Sequence, residues 1–157
     1  MAITTAFCNS FKNELLAMTP HTAADTYKLV LIKAGHAGTY DASTTNVGTP
    51  GTSAPSTSNL GTDAQATSGT YSSVDGVTLA GFTASLDGST AILTFTDPSA
   101  FTGATLSADG CIIYNSSRAN RACAVYAFAG APISSSAGSF DVNLPAAAAA
   151  TAVIRIG

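Results

Sequence analysis

Charge is what this sequence has least of. Of its 157 residues only 10% are Asp, Glu, Lys or Arg, against roughly 25% in an ordinary soluble domain. Exposed charge keeps proteins dispersed, so a surface this poor in it is expected to lie largely against other subunits. The six Lys and Arg residues are scattered between Lys12 and Arg155, which argues against the basic patch of a nucleic-acid binder. No stretch approaches the roughly 20 apolar residues of a membrane span. The opening from Met1 to Met18 carries Asn, Ser and Glu where a secretory signal needs an unbroken apolar run, so the expectation is a protein made in a cytoplasm. Three cysteines, Cys8, Cys111 and Cys123, form no CxxC or metal-type spacing and read most simply as small buried apolar residues. Cys111 and Cys123 flank a turn, and whether they face each other depends on a strand register that sequence leaves open; free thiols are the expected state in a reducing cytosol.

Catalytic patterns are equally sparse. The only histidines are His21, beside Pro20, and His36, inside Ala-Gly-His-Ala-Gly. Neither belongs to a nucleophile, metalloprotease or phosphate-loop motif, and both read as exposed loop residues. The nine acids stand singly, and Asp75, Asp87, Asp97 and Asp109 adjoin Gly or Pro, where they act as turn formers and not as a paired acid and base. No calcium-loop spacing occurs. Asn115-Ser116-Ser117 formally matches a glycosylation acceptor, but the hairpin-turn reading is favoured without a secretory signal. The chain is therefore expected to be non-catalytic, without metal or cofactor.

What the sequence does contain is β structure. The run Thr26 to Lys33, with consecutive Leu29, Val30, Leu31 and Ile32, predicts a central strand covered on both faces. Strand signals follow over Gly76–Ser85, Thr90–Thr96, Ala104–Tyr114, Ala122–Phe128, Ser139–Leu144 and Thr151–Ile156, separated by Asp-Gly, Asp-Pro and Asn-Ser-Ser punctuation. Residues 146–150 fit either a turn of helix or a connection. Before the strands, Phe7, Phe11, Leu15 and Met18 recur at helical spacing and predict a helix over about residues 5–18, capped by Thr4 or Thr5 and ended by Thr19-Pro20. Between residues 34 and 70 lies a long Ser-, Thr- and Gly-rich loop or arm, which usually serves binding. Deleting residues 44–66 is expected to leave the core folded. The predicted architecture is one mainly β domain over residues 1–157, an antiparallel β-sandwich or barrel with one short N-terminal helix and a β-core over about 26–33 and 76–157. Phe7 and Phe11 on the helix, and Arg118 and Arg121 at a hairpin tip, are the candidate protein-interface residues. For the two arginines, ordinary solubilising charge is an equal reading.

Four stretches, MAITTAFCNSFKNELL, DTYKLVLIK, CIIYNSSRANRACAVYAF and AVIRIG, resemble a family of small virion structural proteins of tailed bacteriophages. The middle departs from that pattern, being longer and richer in Ser and Thr. The resemblance implies a virion location, assembly in the host cytoplasm and no enzymatic activity. Together with the low charge it leads to the expectation of a capsid decoration or cement protein, a homo-oligomer contacting the major capsid protein, copies of itself, or both, with no nucleic acid or membrane. A tail, neck or fibre-anchor component is the alternative. A glycan- or receptor-binding module is a further reading, suggested by Tyr40, Tyr71 and Tyr114 but weakened by the absence of tryptophan.

Overall fold

The computed structural model describes residues 2–74 and 76–157; the proposed turn residue Asp75 lies outside them. The described residues form nine strands, one α-helix and a short 3-10 turn at Gly61–Asp63. It is mainly β, with two antiparallel sheets arranged as a sandwich-like domain. The larger sheet runs in the order β1 (Ala6–Phe7), β7 (Arg121–Ala127), β6 (Phe101–Asn115), β2 (Tyr27–Lys33) and β3 (Val77–Thr78), and β8 (Ile133–Phe140) pairs with the first half of β6. The smaller sheet is β4 (Thr83–Asp87), β5 (Thr90–Thr94) and β9 (Ile154–Ile156). Helix α1 spans Asn9–Leu16.

Strand β2 is the central strand that its apolar run predicts. Leu29, Val30, Leu31 and Ile32 are all fully buried, because β6 lies along one side and the rest of the chain covers both faces. Strand β6 is the spine. Its second half sits between β2 and β7 and is buried throughout, whereas its first half alternates buried and exposed residues against the polar strand β8. That register moves the predicted strand at Ser139–Leu144 upstream to Ile133–Phe140, where Ser and Gly suit a half-exposed edge. The predicted strand at Gly76–Ser85 divides into β3 and β4, one in each sheet. Gly81 makes the crossing with φ of 68°, and a Cβ there would run into Thr96. Residues 146–150 form turns and no helix.

The helix is shorter than its periodicity predicts. The β-branched run Ile3, Thr4 and Thr5 favours extended chain, and Ala6–Phe7 pairs with Val125 and Ala124 instead of joining the helix. Neither Thr4 nor Thr5 is the cap. Cys8 occupies that position without a side-chain bond, and Thr5 accepts a hydrogen bond from the Ala127 amide at 3.1 Å. At the other end Met18 takes φ of 55°, and the amides of Thr19 and Met18 return to the Glu14 and Leu15 carbonyls, a closed helix terminus of Schellman type. That closure turns Met18 out, 90% exposed, while Phe11 is 1% exposed. Phe11, at 5.6 Å from Phe7 and 4.5 Å from His21 between ring centroids, is the helix's anchor in the core.

Residues 34–70 lack long regular elements, as expected, yet they are not an arm. Tyr40, Val47, Leu60 and Ala64 belong to the buried core. The segment also closes the sheet. Ala64 bridges Ile32, and the Gln65 amide donates to the Leu31 carbonyl at 2.9 Å, covering the edge of β2 beyond β3. At the far side Tyr40 bridges Ile3 beside β1, while the Ala122 amide donates to Thr45 and the Val47 amide to Asn120 at the tip of β7. Irregular chain thus joins one edge of the sheet to the other, because small polar side chains let the backbone follow a curved path while its amides remain bonded. Deleting residues 44–66 is accordingly expected to abolish cooperative unfolding, read by circular dichroism during a thermal melt. Phe11→Asp places an unpaired charge in the core and should remove most of the roughly 5–15 kcal/mol of a typical domain, whereas Leu16→Asp, at an 85% exposed position, should leave the melting temperature almost unchanged.

Candidate functional site

The four candidate interface residues lie where α1 and β1 meet the β6–β7 hairpin, but three of them are engaged within the chain. Phe11 is core. Arg118 forks onto Asp25, Nε to Oδ2 at 3.3 Å and Nη2 to Oδ1 at 3.4 Å. Arg121 places Nε 2.8 Å from Glu14 Oε1, an ion pair without the alignment of a hydrogen bond. Its Nη1 donates to the Thr45 carbonyl and to Asn46 Oδ1. Phe7 is half-buried with the Lys12 ammonium 5.7 Å from its ring centre.

The hairpin tip is held in the same way. Ser116 donates twice to the Thr26 carbonyl, once through its amide and once through its hydroxyl, and the Thr26 amide donates to the Ser117 hydroxyl. Ala119 and Asn120 reverse the chain with φ of 50° and 57°. Asn115, buried below the tip, donates to Asp25 Oδ2 at 2.9 Å and to His21 Nδ1 at 3.1 Å. An accepting Nδ1 makes His21 the Nε2–H tautomer, which donates to Glu14 Oε2 at 2.8 Å. Sequence placed His21 on an exposed loop. It is instead a buried link in a network of Glu14, His21, Asn115, Asp25, Arg118 and Arg121, assembled from the helix, the following loop and the hairpin. Burial opposes ionisation of Asp25, but hydrogen bonds from Asn115, the Thr22 amide and Arg118 outweigh it and lower its pKa.

A second cluster lies under the long loop. His36, also read as exposed, is buried. Its Nδ1 donates to the Gly38 carbonyl at 2.9 Å, with its ring 5.6 Å from that of Tyr40. Beside it the buried Asp63 accepts from the Ala37 amide at 3.0 Å, the Gly38 amide at 2.7 Å and the Tyr40 hydroxyl at 2.7 Å, with the Lys33 ammonium at 3.8 Å. Burial alone would raise the Asp63 pKa; the Ala37, Tyr40 and Gly38 hydrogen bonds and the Lys33 charge reverse that and lower it. Tyr40 is pushed the other way, by its own burial and then by the carboxylate it donates to.

The remaining carboxylates among the described residues are engaged similarly. Asp41 accepts from the hydroxyl and amide of Ser43, which lower its pKa. Asp87, Asp97 and Asp109 accept from the amides of Ala149, Leu144 and Gly35, and Asp141 from the Ser139 hydroxyl. Asp87, Asp97 and Asp109, each beside Gly or Pro, therefore fasten turns to distant chain, an action beyond their own turns. Among the described residues no group of three or more His, Cys, Asp or Glu is placed to hold a metal ion. The three cysteines are free and buried. Cys111 stands opposite Tyr126, which puts Cys123 about 10 Å along β7 and beyond disulfide reach. Burial pushes the Cys8 and Cys111 thiols up to about 12.

One surface was missed by sequence reasoning. Between α1 and the small sheet runs an apolar cleft, one part about 370 Å³ in volume beside Phe7, Leu15, Leu16 and Ile156, the other about 130 Å³ beneath Phe11 and Leu15. The consecutive Leu15-Leu16 pair was its only sequence signal, since one helical face cannot bury both. No protein family, curated protein or solved structure gives a match to this chain.

The lowered pKa values of Asp25, Asp41 and Asp63 make stability acid-sensitive. The unfolded chain takes up protons on these groups near pH 4 while the folded chain resists, so their contribution is full above about pH 5 and is lost as pH falls through the folded values. Asp63→Asn is expected to cost about 3 kcal/mol at pH 7, because an amide nitrogen then faces donors. It should also flatten the acid limb, and urea unfolding between pH 3 and 7 measures both.

Proposed function

We propose that this chain is a non-catalytic structural protein of a tailed-phage virion, a decoration or cement protein that lies on the capsid and adds contacts between major capsid proteins. The observation that carries the reading is where the phage-like stretches sit. The opening supplies β1 and α1, DTYKLVLIK supplies β2, the IYNSSRANRA hairpin joins β6 to β7, and AVIRIG supplies β9. β1, β7, β6 and β2 are consecutive neighbours in the large sheet, and α1 packs on β7. All but the last of these stretches therefore fall on one contiguous unit, with AVIRIG in the small sheet, and the departing segment, residues 34–70, is the connection wrapped around that unit.

The disposition of polar groups supports the same reading. Both histidines have ring nitrogens bonded within the chain, and the described acids are bonded or paired within it. What remains outside is mostly Ser, Thr, Ala and Gly, a surface suited to broad contact with other subunits. Many weak contacts repeated over a lattice give firm attachment through multivalency.

A second reading, a tail, neck or fibre-anchor component, is favoured by one feature. Strand β4 is exposed along all five residues and, among the described residues, pairs only with β5. A free edge of this kind can take a strand from another copy and build a ring or stack. Cryo-electron microscopy of the intact virion separates the two. Regular density over the outer shell, in hundreds of copies, is the expected result. Density confined to the tail or one vertex, at about a dozen copies, would transfer the proposal to the second reading, and absence from the particle would end both.

A further inference from the structure

The small sheet has one entirely apolar face. Its register aligns Ala84, Leu93 and Ile154 in one cross-strand row and Leu86, Ala91 and Ile156 in the next. Phe11 and Leu15 of the helix face the first row across the narrow part of the cleft, with Ile154 buried and Ala84 exposed at its outer end. The second is open, with Leu86 74% and Ile156 55% exposed, and across the cleft from Ile156 stands Leu16, 85% exposed. Side chains of this size are rarely left together in water without a partner.

The rim adds chemistry. Lys12 and Arg155 line the wide end of the cleft, and no carboxylate side chain lines it with them. Among the described residues neither lies within ion-pair distance of an acid, unlike Lys33, Arg118 and Arg121. Lys12 reaches only Asn9 Oδ1 and the Phe7 ring, and Arg155 the Ala150 carbonyl. A second copy of this chain fits poorly as the occupant, because each described acid is already bonded or paired within its own molecule.

From this geometry we infer that the cleft between α1 and the small sheet is a docking site for a segment of a different protein, one that alternates apolar side chains with carboxylates. Its apolar side chains meet Leu16, Leu86 and Ile156, and its carboxylates meet Lys12 and Arg155. The inference holds whatever assembly the chain joins, so it stands or falls apart from the virion reading.

The test is a nuclear magnetic resonance titration of the full chain with a blocked peptide alternating valine and glutamate, beside a twin carrying lysine for glutamate. The glutamate peptide should shift amides around Leu15, Leu16, Arg155 and Ile156 and bind about tenfold tighter than its twin, two weak ion pairs replacing two repulsions. Leu16→Glu should abolish the shifts while the rest of the spectrum is unchanged. The double variant Lys12→Glu with Arg155→Glu should reverse the peptide preference. No shift at millimolar peptide, equal binding of both peptides, or shifts located elsewhere would overturn the inference. So would concentration-dependent dimerisation in sedimentation that Leu16→Glu removes, since a second copy would then be the occupant.

Discussion

The carboxylate of Asp63 is the fixed point on which closure of the large sheet depends. It is buried, and it collects two amides and a phenol from residues 37–40 while Lys33 stands alongside. A hydrophobic side chain could fill the same space but could not orient three donors at once. Because Asp63 directly precedes the residues that cover β2, and Tyr40 is the residue that bridges Ile3 beside β1, one acid couples both margins of the sheet. The buried charge serves specificity, selecting one path for a segment whose small side chains would permit many.

The same economy governs the remaining charges. In a chain with so few, each described acid is bonded or paired within the chain, and several fasten irregular connections to strands, so the low charge content and the long loops are two aspects of one solution. Arg118 and Arg121 illustrate it. They stand at the tip of a hairpin, where charge ordinarily meets solvent, yet they tie that tip to Asp25 and Glu14. The unmatched cations are then informative, because Lys12 and Arg155 border the largest exposed apolar side chains of the helix and the small sheet.

Much of the fold was legible. The run Leu29 to Ile32 announced a strand covered on both faces, the Asp87-Gly88 hairpin joins β4 to β5, and the Asn-Ser-Ser punctuation marks the turn between β6 and β7. Periodicity failed where tertiary pairing competes with it. Phe7 fits the helical stripe, but an open position beside Val125 and Ala124 draws it into a strand. The polar run Ile133 to Phe140 carries no strand signal of its own and is extended because β6 offers it an edge. The clusters around His21 and Asp63 were illegible for a related reason. Each gathers residues far apart in the chain, and nothing in a lone His or Asp indicates which distant amide will meet it.

The wrapped connection also bears on the order of events during folding. The contacts that seal the sheet link residues 2–4 with 40, 45–47 with 120–122, and 64–65 with 31–32, and the pairings that span more than seventy residues are late by nature, since a long loop must close before any bond rewards it. Until they form, β7 carries a bare edge that another chain can capture. A protein built this way passes through a vulnerable interval at synthesis, and once it is sealed the margin of β7 no longer offers a neighbour an edge to grasp.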